Sequence, residues 1–178
     1  LIKMKFLAET IKYYGEKKGI NIDFNQDVLV VKDFLGIRID QWNISEKLSQ
    51  PTMDDLEALE PEAILYYARQ DKFADLEQKF NYALENGHTT SSFGFEIDAN
   101  TSALRNIESI LSILANDETE TFCDYENKTH ELTKQQLETI RVEIVQYIRN
   151  LRIKKWAYRD KINTLTTTEE VNSFVVDF

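Results

Sequence analysis

Leu137, Ile144, Leu151, Tyr158 and Leu165 recur every seven residues, and Ile140, Tyr147, Ile148 and Ile162 widen the same stripe. Such a period gathers the side chains on one helical face, so the C-terminal third reads as one long amphipathic helix from about Thr133 to Leu165. Thr133 with Gln136 supplies a capping box at its start. A stripe of this length has two readings. It meets a partner helix or a second subunit, or it is buried against an earlier helix running from Pro61 to Glu85.

The rest of the chain reads as an α+β protein. Met4, Leu7, Ile11 and Tyr14 fall at three- and four-residue steps and predict a helix through Gly15, with Lys17-Lys18-Gly19 as its stop. Ile20, Ile22 and Phe24 then alternate with polar residues, followed by Val28–Val31 and by Ile37, Ile39 and Trp42, which predicts a small meander of two or three strands. Thr52 with Asp55 caps a helix through Leu59. Pro61 reads as the first residue of a new helix that continues to Asn86-Gly87. His88–Ser92 reads as a linker, dividing an N-terminal region (1–87) from a C-terminal domain (93–178).

In that second half, a strand over Phe93–Ile97 leads to a helix capped by Asp98 or Asn100. Thr119–Tyr125 and Thr129–Leu132 flank Glu126-Asn127-Lys128 as a hairpin, the long helix follows, and Thr168-Glu169-Glu170 starts a last short helix. With 5 glycines and 2 prolines, the chain favours long regular elements over linkers or low-complexity segments.

A net charge of −10, from 31 acids and 21 bases, argues against general nucleic-acid binding, which needs clustered positive charge. No apolar run approaches a membrane span. The opening residues lack the features of a secretory signal, and a single cysteine excludes an internal disulfide framework. The expectation from these features is a soluble protein of a bacterial or host cytosol.

Familiar chemistries find no template. His130-Glu131 lacks the second histidine of a zinc-protease helix, and His88 falls in the polar linker. Cys123 sits in an apolar strand, where a small buried side chain is expected rather than a nucleophile. Asp124, Glu126 and Asn127 lack the glycine and distal glutamate of a calcium loop and read as a polar turn. No glycine-rich phosphate loop is present. No catalytic residue, metal or cofactor is therefore expected.

One cluster stands out on this acidic chain: Arg149, Arg152, Lys154, Lys155, Arg159 and Lys161, with Trp156 and Tyr158 interleaved. It reads as a solvated helix face or a surface for an acidic partner, with nucleic-acid contact as the alternative. With the stripe, it yields the candidate partner-binding residues Leu137, Ile144, Leu151, Tyr158, Arg149, Arg152, Lys154, Lys155 and Trp156.

The run Phe95–Thr101, then Leu104-Arg105-Asn106-Ile107, Thr121–Thr133, Leu137, Lys155–Ile162 and Thr167-Thr168-Glu169-Glu170, resembles a domain of unknown function of tailed-phage and prophage proteins, commonly encoded among tail-fibre and tail-assembly genes. The segments occur in the family's order over about 93–178. A strand ending at Trp42, then Gln50-Pro51-Thr52 and Leu56, is similar to the ends of small phage tail-associated proteins. The resemblance implies a non-enzymatic tail or fibre component, or a fibre assembly factor. Its partner would be a phage tail or fibre protein, a second copy of the chain, or both.

Overall fold

The computed structural model describes residues 5–33 and 36–178. Met4, expected in the first helix, lies outside them. The described residues form an α+β architecture of helices and two-stranded antiparallel ribbons. Contacts divide it into two units, residues 1–71 with 165–173, and residues 72–164 with 174–178.

In the first unit, helix α1 (Leu7–Lys17) ends before Gly19, whose positive φ is easy for glycine. Ile20–Phe24, expected as a strand, is irregular instead. Its backbone is consumed locally: Ile20 N–H bonds to the Gly15 carbonyl, and the Asp23 carboxylate accepts from Asn25 N–H at 2.8 Å. Ile22 is nevertheless buried, together with Leu7, Ile11, Val28, Ile44, Leu48 and Leu56. Strands β1 (Val28–Asp33) and β2 (Gly36–Trp42) pair antiparallel beside this core.

Helix α2 (Met53–Asn86) runs unbroken through Pro61, where two helices were expected. Proline leaves the Glu57 carbonyl without its helical donor, a cost of about 3 kcal/mol. Contacts with and around α1 offset it on both sides of the proline. The Glu60 carboxylate accepts Lys5 and Phe6 N–H at 2.9 and 2.8 Å, and Glu62 accepts Tyr13 O–H at 2.6 Å and pairs with Lys17. Burial, reinforced by the Glu62 carboxylate, pushes the Tyr13 phenol up to about 12. The expected Thr52–Asp55 box is present, with both N–H bonds at 3.1 Å.

In the second unit, His88–Ser92 is no linker. Strand β3 (His88–Thr90) pairs with β4 (Glu96–Asp98), and Ser92 N–H bonds to Glu143 at 3.0 Å. The expected strand at Phe93 thus begins later, after a turn centred on Gly94 at φ +88. Asn100 caps α3 (Thr101–Ile113) by accepting Ser102 and Ala103 N–H. The hairpin of β5 (Thr119–Cys123) and β6 (Thr129–Thr133) turns through Asn127, one of the residues most tolerant of a left-handed backbone. Helix α4 (Lys134–Thr164) follows, and the short α5 (Thr168–Ser173) lies in the first unit.

The second unit's main core joins Ile97, Ile107, Leu132, Leu137, Ile140, Ile144 and Ile148. Farther along α4, Ile162 packs with Leu76 of α2 and Val176 of the C-terminal segment. No helix of the described residues is long and apolar enough to cross a membrane.

Candidate functional site

The start of α4 is fixed by its capping box: Thr133 N–H donates to Gln136 Oε1 at 2.9 Å, and Gln136 N–H returns to Thr133 Oγ1 at 3.3 Å. From there the helix presents two rows. The inner row is the seven-residue stripe. Leu137, Ile144 and Leu151 are buried, and Tyr158 is half-buried, its hydroxyl donating to the Asp177 carbonyl at 2.7 Å. The structure therefore places these four candidate partner residues inside the chain's own packing, with Leu137 and Ile144 in a core made chiefly by β4, α3 and β6 rather than by the expected helix from Pro61 to Glu85.

The outer row is a different set of residues. Val142, Val145, Ile153 and Trp156 are 58, 44, 47 and 59% exposed. At about 100° per residue they fall within one sector opposite the core. Arg149 lies in the middle of that sector and Arg152 on its edge, both exposed. From Val142 to Trp156 the row is about 21 Å long at 1.5 Å per residue.

The basic cluster does not share one direction. Lys154 lies on the far flank from Arg149 and approaches the rings of Tyr158 and Phe178, 5.8 Å from each centroid. Lys155 turns toward α2, where its ammonium sits 2.7 Å from the Glu77 carboxylate and 4.4 Å from the Phe80 ring centroid. Arg149, Arg152 and Arg159 have no ion-pair partner among the described residues.

A second constellation lies at the two hairpins. Asp124 is buried, and its carboxylate takes Lys128 N–H at 2.8 Å and contacts His130 Nε2 at 2.8 Å. The His130 bond holds the Asp124 carboxyl below its ordinary range. The His130 ring stacks on Phe95 at 3.9 Å, and His88 stacks on Tyr125 at 4.4 Å while contacting Glu96 at 3.0 Å. Tyr125 N–H also bonds to the Glu96 carbonyl, joining the β5–β6 turn to β4. One face and one edge of the His130 imidazole are thus already occupied, and the arrangement acts as a clamp between hairpins. Among the described residues no group of three or more His, Cys, Asp and Glu is placed to hold a metal ion.

In the sequence, Asp124 reads only as part of a polar turn. The signal was the hairpin itself, because Phe122 faces His130 across it and a four-residue turn returns the chain past Asp124. Cys123, expected in the core, is exposed. Strand alternation turns Phe122 inward and leaves Thr121 and Cys123 outside.

No curated protein and no solved structure matches the chain. A family model does, and it spans 67–176, which takes in the last part of α2, both second-unit hairpins, α3, α4 and α5. It begins upstream of the segment that carried the sequence resemblance. The chain belongs to the family described as a domain of unknown function (DUF4376).

Proposed function

We propose that the chain is a non-enzymatic, phage- or prophage-encoded tail-associated protein, either a minor tail or fibre component or a fibre assembly factor, that acts through protein–protein contact. The observation that carries the contact reading is the outer row of α4, where four large apolar side chains stay exposed around two arginines with no ion-pair partner among the described residues. Interface centres are enriched in tryptophan and arginine and depleted in other charges, and this row has that composition. The tail assignment rests on the sequence resemblance. Purified particles of the encoding phage should contain the chain, or the chain should bind a tail or fibre protein of the same genome. Absence from particles together with no binding to any such protein would overturn it.

A second reading has its own observation: Arg149, Arg152, Arg159 and Trp156 are all exposed on one helix. They would grip a nucleic-acid backbone, with the indole stacking on a base. The dispersal of Lys154 and Lys155 to other directions weakens it. A titration with single-stranded DNA that stays flat at low salt would remove this reading.

A further inference from the structure

We infer that the outer face of α4 docks an acidic amphipathic helix. The inference rests on the protein-contact reading and names the chemistry of the partner. An apolar row about 21 Å long on a helix matches the anchor spacing of a second helix laid along it. The charge of that helix follows from the arginines. Arg149 stands at the centre of the row and Arg152 on its edge, on a chain whose net charge is −10, and neither has an ion-pair partner among the described residues. Covering the row with an apolar or basic helix would bring these guanidiniums toward a low-dielectric seam without compensation. A glutamate or aspartate beside the middle of the partner's seam would meet Arg149, and one on its flank would meet Arg152, in two-pronged pairs.

A second copy of this chain fits less well. Antiparallel pairing about Arg149 would set Val142 against Trp156 and Val145 against Ile153. It would also set Arg149 against itself and, at the row's ends, Glu138 against Asp160, both exposed. Parallel pairing sets every arginine against its own copy. Like charges across such a seam cost several kcal/mol.

The test uses the full chain and three probes. One is a designed peptide of about 20 residues with leucines at the seam positions and glutamates beside them, long enough to cover the row at 1.5 Å per residue. The second has every glutamate changed to lysine, and the third is single-stranded DNA. The chain has two tryptophans, so its indole N–H resonances report directly. Trp156→Phe assigns them.

The glutamate peptide should shift the Trp156 resonance and leave Trp42 in place, and should bind at least tenfold more tightly than the lysine peptide. Arg149→Glu/Arg152→Glu should reverse that preference. Both arginines are exposed, so this variant should keep the wild-type amide spectrum.

Equal binding of the two peptides, or no shift of Trp156, would overturn the inference. So would a mass of two chains in sedimentation that Val145→Asp reduces to one, or DNA shifting Trp156 where the glutamate peptide does not. These outcomes are separate from the tail assignment. Absence from phage particles leaves peptide docking intact, and failure of the peptide leaves tail association through another surface standing.

Discussion

Lys155 Nζ lies 2.7 Å from a Glu77 carboxylate oxygen and 4.4 Å from the Phe80 ring centroid, so a residue of the basic cluster joins α4 to α2. The two ends of the interaction differ in burial, with Glu77 far more exposed than Lys155. Glu77→Gln should therefore cost less than about 1 kcal/mol, as exposed pairs do. Lys155→Ala should cost more, because it also removes the ammonium's contact with the Phe80 ring. Urea unfolding of the two variants checks the order, and equal losses would show that the ion pair with Glu77 rather than the ring contact matters.

Gly87 is occupied by its neighbour rather than by its own conformation. A Cβ there would stand 2.5 Å from Tyr147 Cε1 and 2.6 Å from the Ala83 carbonyl oxygen. The carbonyl belongs to the backbone and cannot swing away. Gly87→Ala should destabilise the second unit by about 1–3 kcal/mol, the usual range for overpacking. A thermal midpoint unchanged from wild type would contradict the close approach.

The Asp124–His130 clamp predicts an acid-side dependence. The folded Asp124 carboxyl is held below its unfolded value of about 3.8, so its contribution is complete above that value and is lost as pH falls through the lower folded one. Asp124→Asn removes the titrating group. The stability gap between wild type and variant should narrow as pH falls from about 5 toward about 2. A gap independent of pH would mean that the charge of Asp124 contributes nothing.

Cys123 is on the outward side of β5. Ellman's reagent should therefore label one thiol per chain in the folded protein, at a rate unaffected by low urea. Labelling only after unfolding would return Cys123 to the core.

Signals confined to a few residues were legible in the sequence. Thr52 with Asp55 and Thr133 with Gln136 form the boxes their spacing announces, and Asn127 turns the hairpin where the sequence puts a turn. What failed depended on partners distant in sequence. Pro61 stays helical because Glu60 and Glu62, on either side of it, are held by Phe6 and Tyr13. Ile20–Phe24 has strand alternation, yet its backbone bonds are taken by Gly15 and by its own Asp23 turn.

The candidate site was half legible. Trp156, Arg149 and Arg152 were named as surface, but the seven-residue period drew notice to the inner row. Val142, Val145 and Ile153 carry no period-seven mark of their own. They are recognisable as a second face only once the first has been covered.

Helix α4 separates a buried row that holds the fold from an exposed row on its opposite side, and adjacent residues test that division. Ile144 is fully buried in the core of the second unit, whereas Val145, one residue on, is 44% exposed. Thermal unfolding of Ile144→Asp and Val145→Asp compares the same carboxylate on the two faces. Ile144→Asp should cost more than about 4 kcal/mol or abolish cooperative unfolding, because it buries an unpaired charge in a packed core. Val145→Asp should stay within about 0.5 kcal/mol of wild type. Equal losses for the two variants, or a Val145→Asp chain that fails to fold, would contradict the account.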